Sequence, residues 1–151
     1  CRKQNNQATV DLCKELGVVP IGYFPLANGL LAGKYSAEKM PKGLKANSMK
    51  KYIVGGLDKR SGTEIPAGGV SPLISAMREV GDAQGKTVAQ VAINYAISKG
   101  VVPIPGCRDA SMARDNAGAM GWRLSSDEIA KLEAASDALG FEFVQPGPKL
   151  E

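Results

Sequence analysis

The 151 residues contain no histidine. That absence removes Ser-His-Asp and Cys-His nucleophiles, histidine metal ligands and histidine acid–base work from the chain. Cysteine is scarce: Cys1, Cys13 and Cys107 are odd in number, and none stands in a C-x-x-C pair. No disulfide framework and no metal site are expected, and a reducing compartment, the cytoplasm first, is the natural setting. Aromatics make up only 5% of the residues (Tyr23, Phe24, Tyr35, Tyr52, Tyr95, Trp122, Phe141 and Phe143) and do not interleave with the basic ones. A net charge of +4 and a pI near 9.0 suit a phosphate-bearing ligand. They are too weak and too scattered for nucleic acid. No apolar run approaches the ~20 residues of a membrane span, and no signal sequence is visible. The chain opens on Cys and not Met, so a preceding stretch, carrying any targeting segment, is expected.

What is present is the composition of a globular protein, 44% hydrophobic and 23% charged. A helix is expected over Ala8–Leu16, with Val10, Cys13 and Leu16 at helical spacing and Gly17 as its stop. Val18–Phe24 is an apolar, β-branched run that reads as a strand, ended by Pro25. Residues Leu26–Val70 are rich in Gly, Lys, Asn and Ser and show no sustained period, so a long loop is expected. A helix over Pro72–Val80 is interrupted by GDAQG, and Thr87 caps a second helix over Val88–Lys99. Val101–Ile104 is the second strand, and Asp109–Met120 the next helix. Ser125, with Glu128 three residues on, opens a capping box for a helix reaching about Ala138, closed by Gly140. Strands separated by helices imply a parallel α/β arrangement. Two parallel strands cannot cover their own edges, so the chain reads as part of a larger sheet.

The stretch VVPIPGCRDASMARDN (Val101–Asn116) carries the chemistry. A strand that breaks at Gly106 into a helix N-terminus presents unpaired backbone N–H groups and the positive end of a dipole, with Arg108 beside it. Such a segment builds an anion site, but on these residues alone a plain strand-to-helix turn with a surface Arg is the better reading, and only the company it keeps changes that. PLANGLLAGKY (Pro25–Tyr35) also follows a strand directly, and its glycines and Lys34 can approach a phosphate. It is not a P-loop. Gly29 and Gly33 are one residue too close, and Tyr35 stands where Ser or Thr would hold magnesium. GDAQGKT (Gly81–Thr87) fails on the same spacing and reads as a helix end followed by a cap.

VVPIGYFPLANGLLAGKY (Val18–Tyr35) and TVAQVAINYAISKGVVPIPGCRDASMARDNAGAMGWRLSSDEIAKLE (Thr87–Glu133) together resemble the C-terminal half of the aldo-keto reductase family, in its order and at about its separation. The likeness is strongest to the branch with IPG-type turns, which includes plant and bacterial enzymes and the potassium-channel β-subunits. The resemblance implies the C-terminal portion of a (β/α)8 TIM barrel, incomplete in this chain. Residues 1–151 would form a partial NADP-dependent oxidoreductase domain, of which 139–151 is a C-terminal tail. It implies NADP(H) bound across the C-terminal ends of the strands. Tyr23 would stack near the nicotinamide, while Phe24, Pro25, Leu26, Ala27, Asn28 and Lys34 would line the pyrophosphate. Lys45 would stand where the family often has Arg. Gly106, Cys107, Arg108, Met112, Asp115 and Asn116 would hold the adenosine and its 2′-phosphate. Phe24 stands in place of the usual Ser, and Met112 in place of Arg or Gln. The family's catalytic Asp, Tyr, Lys and His come from early strands and are not among these residues. The expected partners are a small carbonyl substrate and the N-terminal half of the barrel, with no nucleic acid and no membrane span. The parent would be a carbonyl reductase. The alternatives are a non-catalytic nucleotide-binding module or a fragment without activity of its own. The plant-like character also admits the chloroplast stroma.

Overall fold

The computed structural model describes residues 3–42, 46–59 and 62–141. In chain order the elements are α1 (Lys3–Glu15), β1 (Ile21–Tyr23), a short 3-10 helix (Ala27–Ala32), α2 (Ala46–Val54), β2 (Gly56–Asp58) and β3 (Thr63–Ile65). There follow α3 (Ser71–Gln84), α4 (Val88–Ser98), β4 (Val102–Ile104), α5 (Ala110–Ala117) and α6 (Ser126–Asp137). β1 and β4 pair in parallel, with Ile21 opposite Val102 and Tyr23 opposite Ile104. Both strands are shorter than their apolar runs. Pro20 nevertheless extends the ladder by one bond, its carbonyl accepting from the Val102 N–H at 2.9 Å, as suits a proline leading into a strand.

The expected long loop over Leu26–Val70 is not a loop throughout. It holds the 3-10 helix, α2 and the antiparallel hairpin β2–β3. The Asp58 side chain, buried in the hairpin, explains the fold of this stretch: it accepts hydrogen bonds from Tyr52 Oη and Lys51 Nζ of α2. A buried carboxylate with a cation and a phenol satisfies the rule that buried charges are partnered, and it ties hairpin to helix. Gly69 lets the chain return beneath α2, since a Cβ there would stand 2.1 Å from the Tyr52 carbonyl oxygen.

Helix α3 also departs from expectation. It runs through Gly81 to Gln84 and stops at Gly85, whose φ of 63° is the left-handed turn of a helix C-terminus. Gly81 is not a breaker here. A Cβ at that position would lie 2.5 Å from the Lys86 carbonyl oxygen, so glycine permits the tight return into α4. Helix α4 is the central one, with Val88, Ala89, Val91, Ala92, Ile93 and Asn94 all buried. α3 packs against α4 and α6, and the core also takes in Tyr52, Ile53 and Ile65. Leu139 and Phe141, at the start of the expected tail, are buried in it as well. Residues 142–151 lie outside the described residues.

The expected capping box at Ser125 forms, and the cap at Thr87 is a capping box as well. Thr87 accepts from the Gln90 N–H and Ser125 from the Glu128 N–H, and each N3 side chain returns the bond. Ser125→Ala is expected to lower stability by about 1 kcal/mol, read as a shifted denaturation midpoint. An unchanged midpoint would show that α6 is held by packing alone. The Glu128 carboxyl lies below its ordinary range because Gln84 and the Ser125 N–H both donate to it. Its contribution is present above the unfolded carboxyl pKa and is lost as pH falls through the depressed value.

Candidate functional site

Because β1 and β4 are parallel and in register, the chain leaves both strands at the same end. The turn after Tyr23 and the turn after Ile104 therefore stand side by side. The first is bent by three residues in the left-handed region: Phe24 (φ 63°), Ala27 (46°) and Asn28 (59°). Only Asn takes this conformation readily. For Phe and Ala it costs on the order of 1–3 kcal/mol each. The Ala27 N–H closes the turn on the Phe24 carbonyl at 3.1 Å, and the Gly29 N–H on that of Leu26 at 2.8 Å. Phe24, Pro25, Leu26 and Ala27 are half-buried, and Asn28 is exposed. Tyr23 stands open at the strand end. Lys34 runs past Gly29, its stem 3.3 Å from where a Cβ would be, and its ammonium lies over the Tyr35 ring, 5.3 Å from the centroid.

The second turn is pinned from within. Asn116 Nδ2 donates to the Gly106 carbonyl at 3.4 Å, and Cys107 Sγ to the Asp109 carbonyl at 3.3 Å. Asp109 caps α5 by accepting from the Met112 N–H at 2.9 Å. The cap uses one of the four free N–H groups of a helix start. Arg108 is exposed and makes no hydrogen bond or ion pair with a described residue. An exposed guanidinium beside a helix N-terminus, with the Lys34 ammonium over the Tyr35 ring in the neighbouring loop, is a donor set that fits an anionic dinucleotide. Met112 is half-buried. Asp115 faces α4, where Gln90 Nε2 and Thr87 Oγ1 donate to its carboxylate at 3.1 and 3.3 Å. Lys45 lies outside the described residues.

The residues that hold the second turn in place were not singled out from sequence. Gln90 serves both its own capping box and Asp115, whose carbonyl also accepts from it at 2.9 Å. A Cβ on Gly118 would come within 2.3 Å of Gln90 Nε2, so α4 and α5 cross closely. Asn94, fully buried, donates to the carbonyls of Ala119 and Trp122 and accepts from the Leu124 N–H. The T-x-x-Q spacing at Thr87 signals the first of these. No local pattern signals the second. The Tyr95 phenol is no candidate acid near neutral pH. Burial, and donation to Glu133, push its pKa well above the usual range.

Residues 1–137 match the model of the aldo/keto reductase family. The chain belongs to this family. The chloroplastic pyridoxal reductase of Arabidopsis thaliana is 40% identical over 125 residues, covering 83% of this chain and 30% of that protein. The aldo-keto reductase str7 of Strobilurus tenacellus is 27% identical over 148 residues, covering 95% of this chain and 41% of the other. Among solved structures, the glycerol dehydrogenase AKR11B4 of Gluconobacter oxydans superposes with a TM-score of 0.67 at 20% identity, over 96% of this chain and 42% of that one. The chain thus spans well under half the length of these aldo/keto reductases, and it folds as part of their (β/α)8 barrel. This explains a feature that otherwise has no place in a folded protein. Ile21, Tyr23, Val102 and Ile104 are 68%, 62%, 48% and 53% exposed, although parallel strands are ordinarily covered on both faces. In the aldo/keto reductase barrel the C-terminal strand ends carry the ligand loops, and both turns described above lie at that end. Among the described residues no helix is long and apolar enough to cross a membrane.

Proposed function

We propose that this chain is the cofactor-binding portion of an NADPH-dependent reductase that converts an aldehyde or ketone to its alcohol. One observation carries the reading: the parallel register sets the Phe24–Asn28 turn beside the Gly106–Arg108 turn, with the exposed Arg108 on the second and Lys34 in the loop that continues the first. Tyr23 is to face the nicotinamide, Phe24 to Asn28 and Lys34 the pyrophosphate, and Gly106, Cys107, Arg108, Met112, Asp115 and Asn116 the adenosine with its 2′-phosphate. The bound NADPH would supply the hydride. The residues of this chain bind and orient; the general acid that protonates the carbonyl oxygen would be a tyrosine supplied by the rest of the barrel. The N-terminal half of that barrel would cover the exposed faces of β1 and β4. The free cysteines Cys13 and Cys107 fit a reducing compartment: the cytoplasm, or the stroma as for the chloroplastic relative.

Pyridoxal, the aldehyde in the name of the 40%-identical relative, is the first substrate to offer. The full-length protein with NADPH is expected to consume cofactor when pyridoxal or another aromatic aldehyde is added, followed as loss of NADPH absorbance. Tight cofactor binding with no turnover on any carbonyl would make the protein a nucleotide-binding module instead. Absence of binding would sink the cofactor reading altogether.

A further inference from the structure

Helix α5 carries residues assigned to the adenosine end of the cofactor, yet none of its eight residues is buried. A helix of that length is not stable by itself in water, and with no buried side chain it has little apolar packing to seat it. Polar bonds do so instead. Gln90, in the first turn of α4, uses both ends of its side-chain amide. Its Oε1 accepts from the Thr87 N–H at 3.0 Å, and its Nε2 donates to the Asp115 carbonyl at 2.9 Å and to Asp115 Oδ1 at 3.1 Å. Thr87 Oγ1 accepts from the Gln90 N–H and donates to the same carboxylate oxygen at 3.3 Å. The start of α4 and the last turn of α5 are thus closed into one clasp. The fit is tight, because Gly118 leaves no room for a Cβ beside Gln90 Nε2.

The clasp reaches the turn after β4 by direct contacts. Asn116 follows Asp115, and its Nδ2 donates to the Gly106 carbonyl at 3.4 Å, two residues ahead of Arg108. Asp115 is exposed, so without the donors of Gln90 and Thr87 its carboxylate turns to water. Asn116 moves with it, and the Gly106 carbonyl loses its partner. We propose that Gln90 is a positioning residue for cofactor recognition, a role that rests on the cofactor reading above. Through Asp115 and Asn116 it holds the Gly106–Arg108 turn where the adenosine end of the dinucleotide binds. Gln90 acts from behind the turn and not on the ligand.

The test uses the full-length protein, with NADPH binding followed by cofactor fluorescence and turnover by absorbance. Gln90→Glu keeps the acceptor for the Thr87 N–H, and T-x-x-E is itself a capping box. What it loses is the donor to Asp115. Gln90→Met removes that donor without adding a charge. Each is expected to weaken NADPH about tenfold, the scale of one hydrogen bond to a charged group. Each should raise the KM for NADPH without lowering kcat, because the nicotinamide end sits on the other turn. Asp115→Asn keeps an acceptor for Gln90 and, combined with Gln90→Glu, returns a donor to the pair. Measured against Asp115→Asn alone, Gln90→Glu should then cost NADPH less than about twofold. A raised KM that the paired substitution restores supports the role. Should Gln90→Met fail to fold, the cycle of Gln90→Glu with Asp115→Asn decides by itself, and if no carbonyl turns over, binding decides. A matching fall in kcat, or a loss that persists undiminished beside Asp115→Asn, overturns the role and leaves Gln90 as a helix cap. NADPH binding that ignores both Gln90 variants also overturns it, with the cofactor reading still standing. No NADPH binding to the unsubstituted protein overturns both.

Discussion

Asn94→Ala is expected to destabilise the protein by about 3–5 kcal/mol. The Asn94 side chain is fully buried and uses both ends of its amide. Nδ2 donates to Ala119 O at 2.9 Å and to Trp122 O at 3.0 Å, while Oδ1 accepts from Leu124 N at 3.1 Å and Ser98 Oγ at 3.0 Å. Trp122 O keeps a second partner in Arg123 Nη1. Ala119 and Leu124 are buried where water cannot reach, so each loses its bond without replacement, at about 1–3 kcal/mol apiece. The void left by the amide adds to this. Asn94→Asp separates the terms. A carboxylate can still accept from Leu124, but it faces two carbonyl oxygens and is driven toward its neutral form, which raises its pKa. Protonated, it can donate to one of them, so this variant should be less destabilised at acid pH and lose stability as pH rises. Urea denaturation followed by near-ultraviolet dichroism measures both. A loss below about 1 kcal/mol for Asn94→Ala would mean that α4 and the segment between α5 and α6 are joined by packing alone.

That role explains which features were readable in advance. The caps at Thr87 and Ser125 were legible because the chemistry is local: a hydroxyl and an N3 acid or amide within one turn. The parallel pair β1–β4 was legible because both strands are short apolar runs separated by a helix-patterned stretch. The hairpin β2–β3 was not. Its strands, Gly56–Asp58 and Thr63–Ile65, have no apolar alternation, and it is held by a buried Asp58 that reaches back to Lys51 and Tyr52, a contact no local window contains. Helix α2 carried a readable face in Met49, Tyr52 and Ile53, but the surrounding Lys and Gly residues masked its period. Gly81 misled for a physical reason. Glycine can mark a stop or a close approach, and here it marks an approach by the carbonyl of Lys86.

The candidate site divides along the same line. The β4–α5 turn follows from its own residues, since Gly106, Arg108 and the Asp109 cap lie within four positions of one another. The strained turn after β1 does not. Nothing in the FPLAN stretch announces that Phe24 and Ala27 adopt left-handed backbone. Beyond the bend the chain passes close over α4, where a Cβ on Gly33 would lie 2.9 Å from Val88, a tertiary approach that no local window contains. Nor does spacing reveal that Asp115 is held by Gln90 and Thr87, which makes its first task the orientation of α5.

Arg108→Ala is expected to weaken NADPH binding by about ten- to a hundredfold and to leave NADH nearly unchanged. The two cofactors differ only in the 2′-phosphate, so a residue that recognises this group must discriminate between them. Arg108 is exposed, adjoins the start of α5 and has no described partner to release. Its guanidinium is therefore free to form a charge-assisted bond, which contributes roughly 1.5–3 kcal/mol, and that range converts to the stated loss. Asp109 works against the phosphate. Its carboxylate already occupies the Met112 N–H, so the helix dipole alone is partly neutralised and the guanidinium carries more of the recognition. The loss should also shrink at high salt, because the contact lies at an exposed turn. Cofactor-fluorescence titrations of the full-length protein and the variant, at two ionic strengths, decide the matter. Equal losses for NADPH and NADH would mean that Arg108 supports the turn and does not read the phosphate. No loss for either would leave Gly106–Asp109 as a strand-to-helix connection and nothing more.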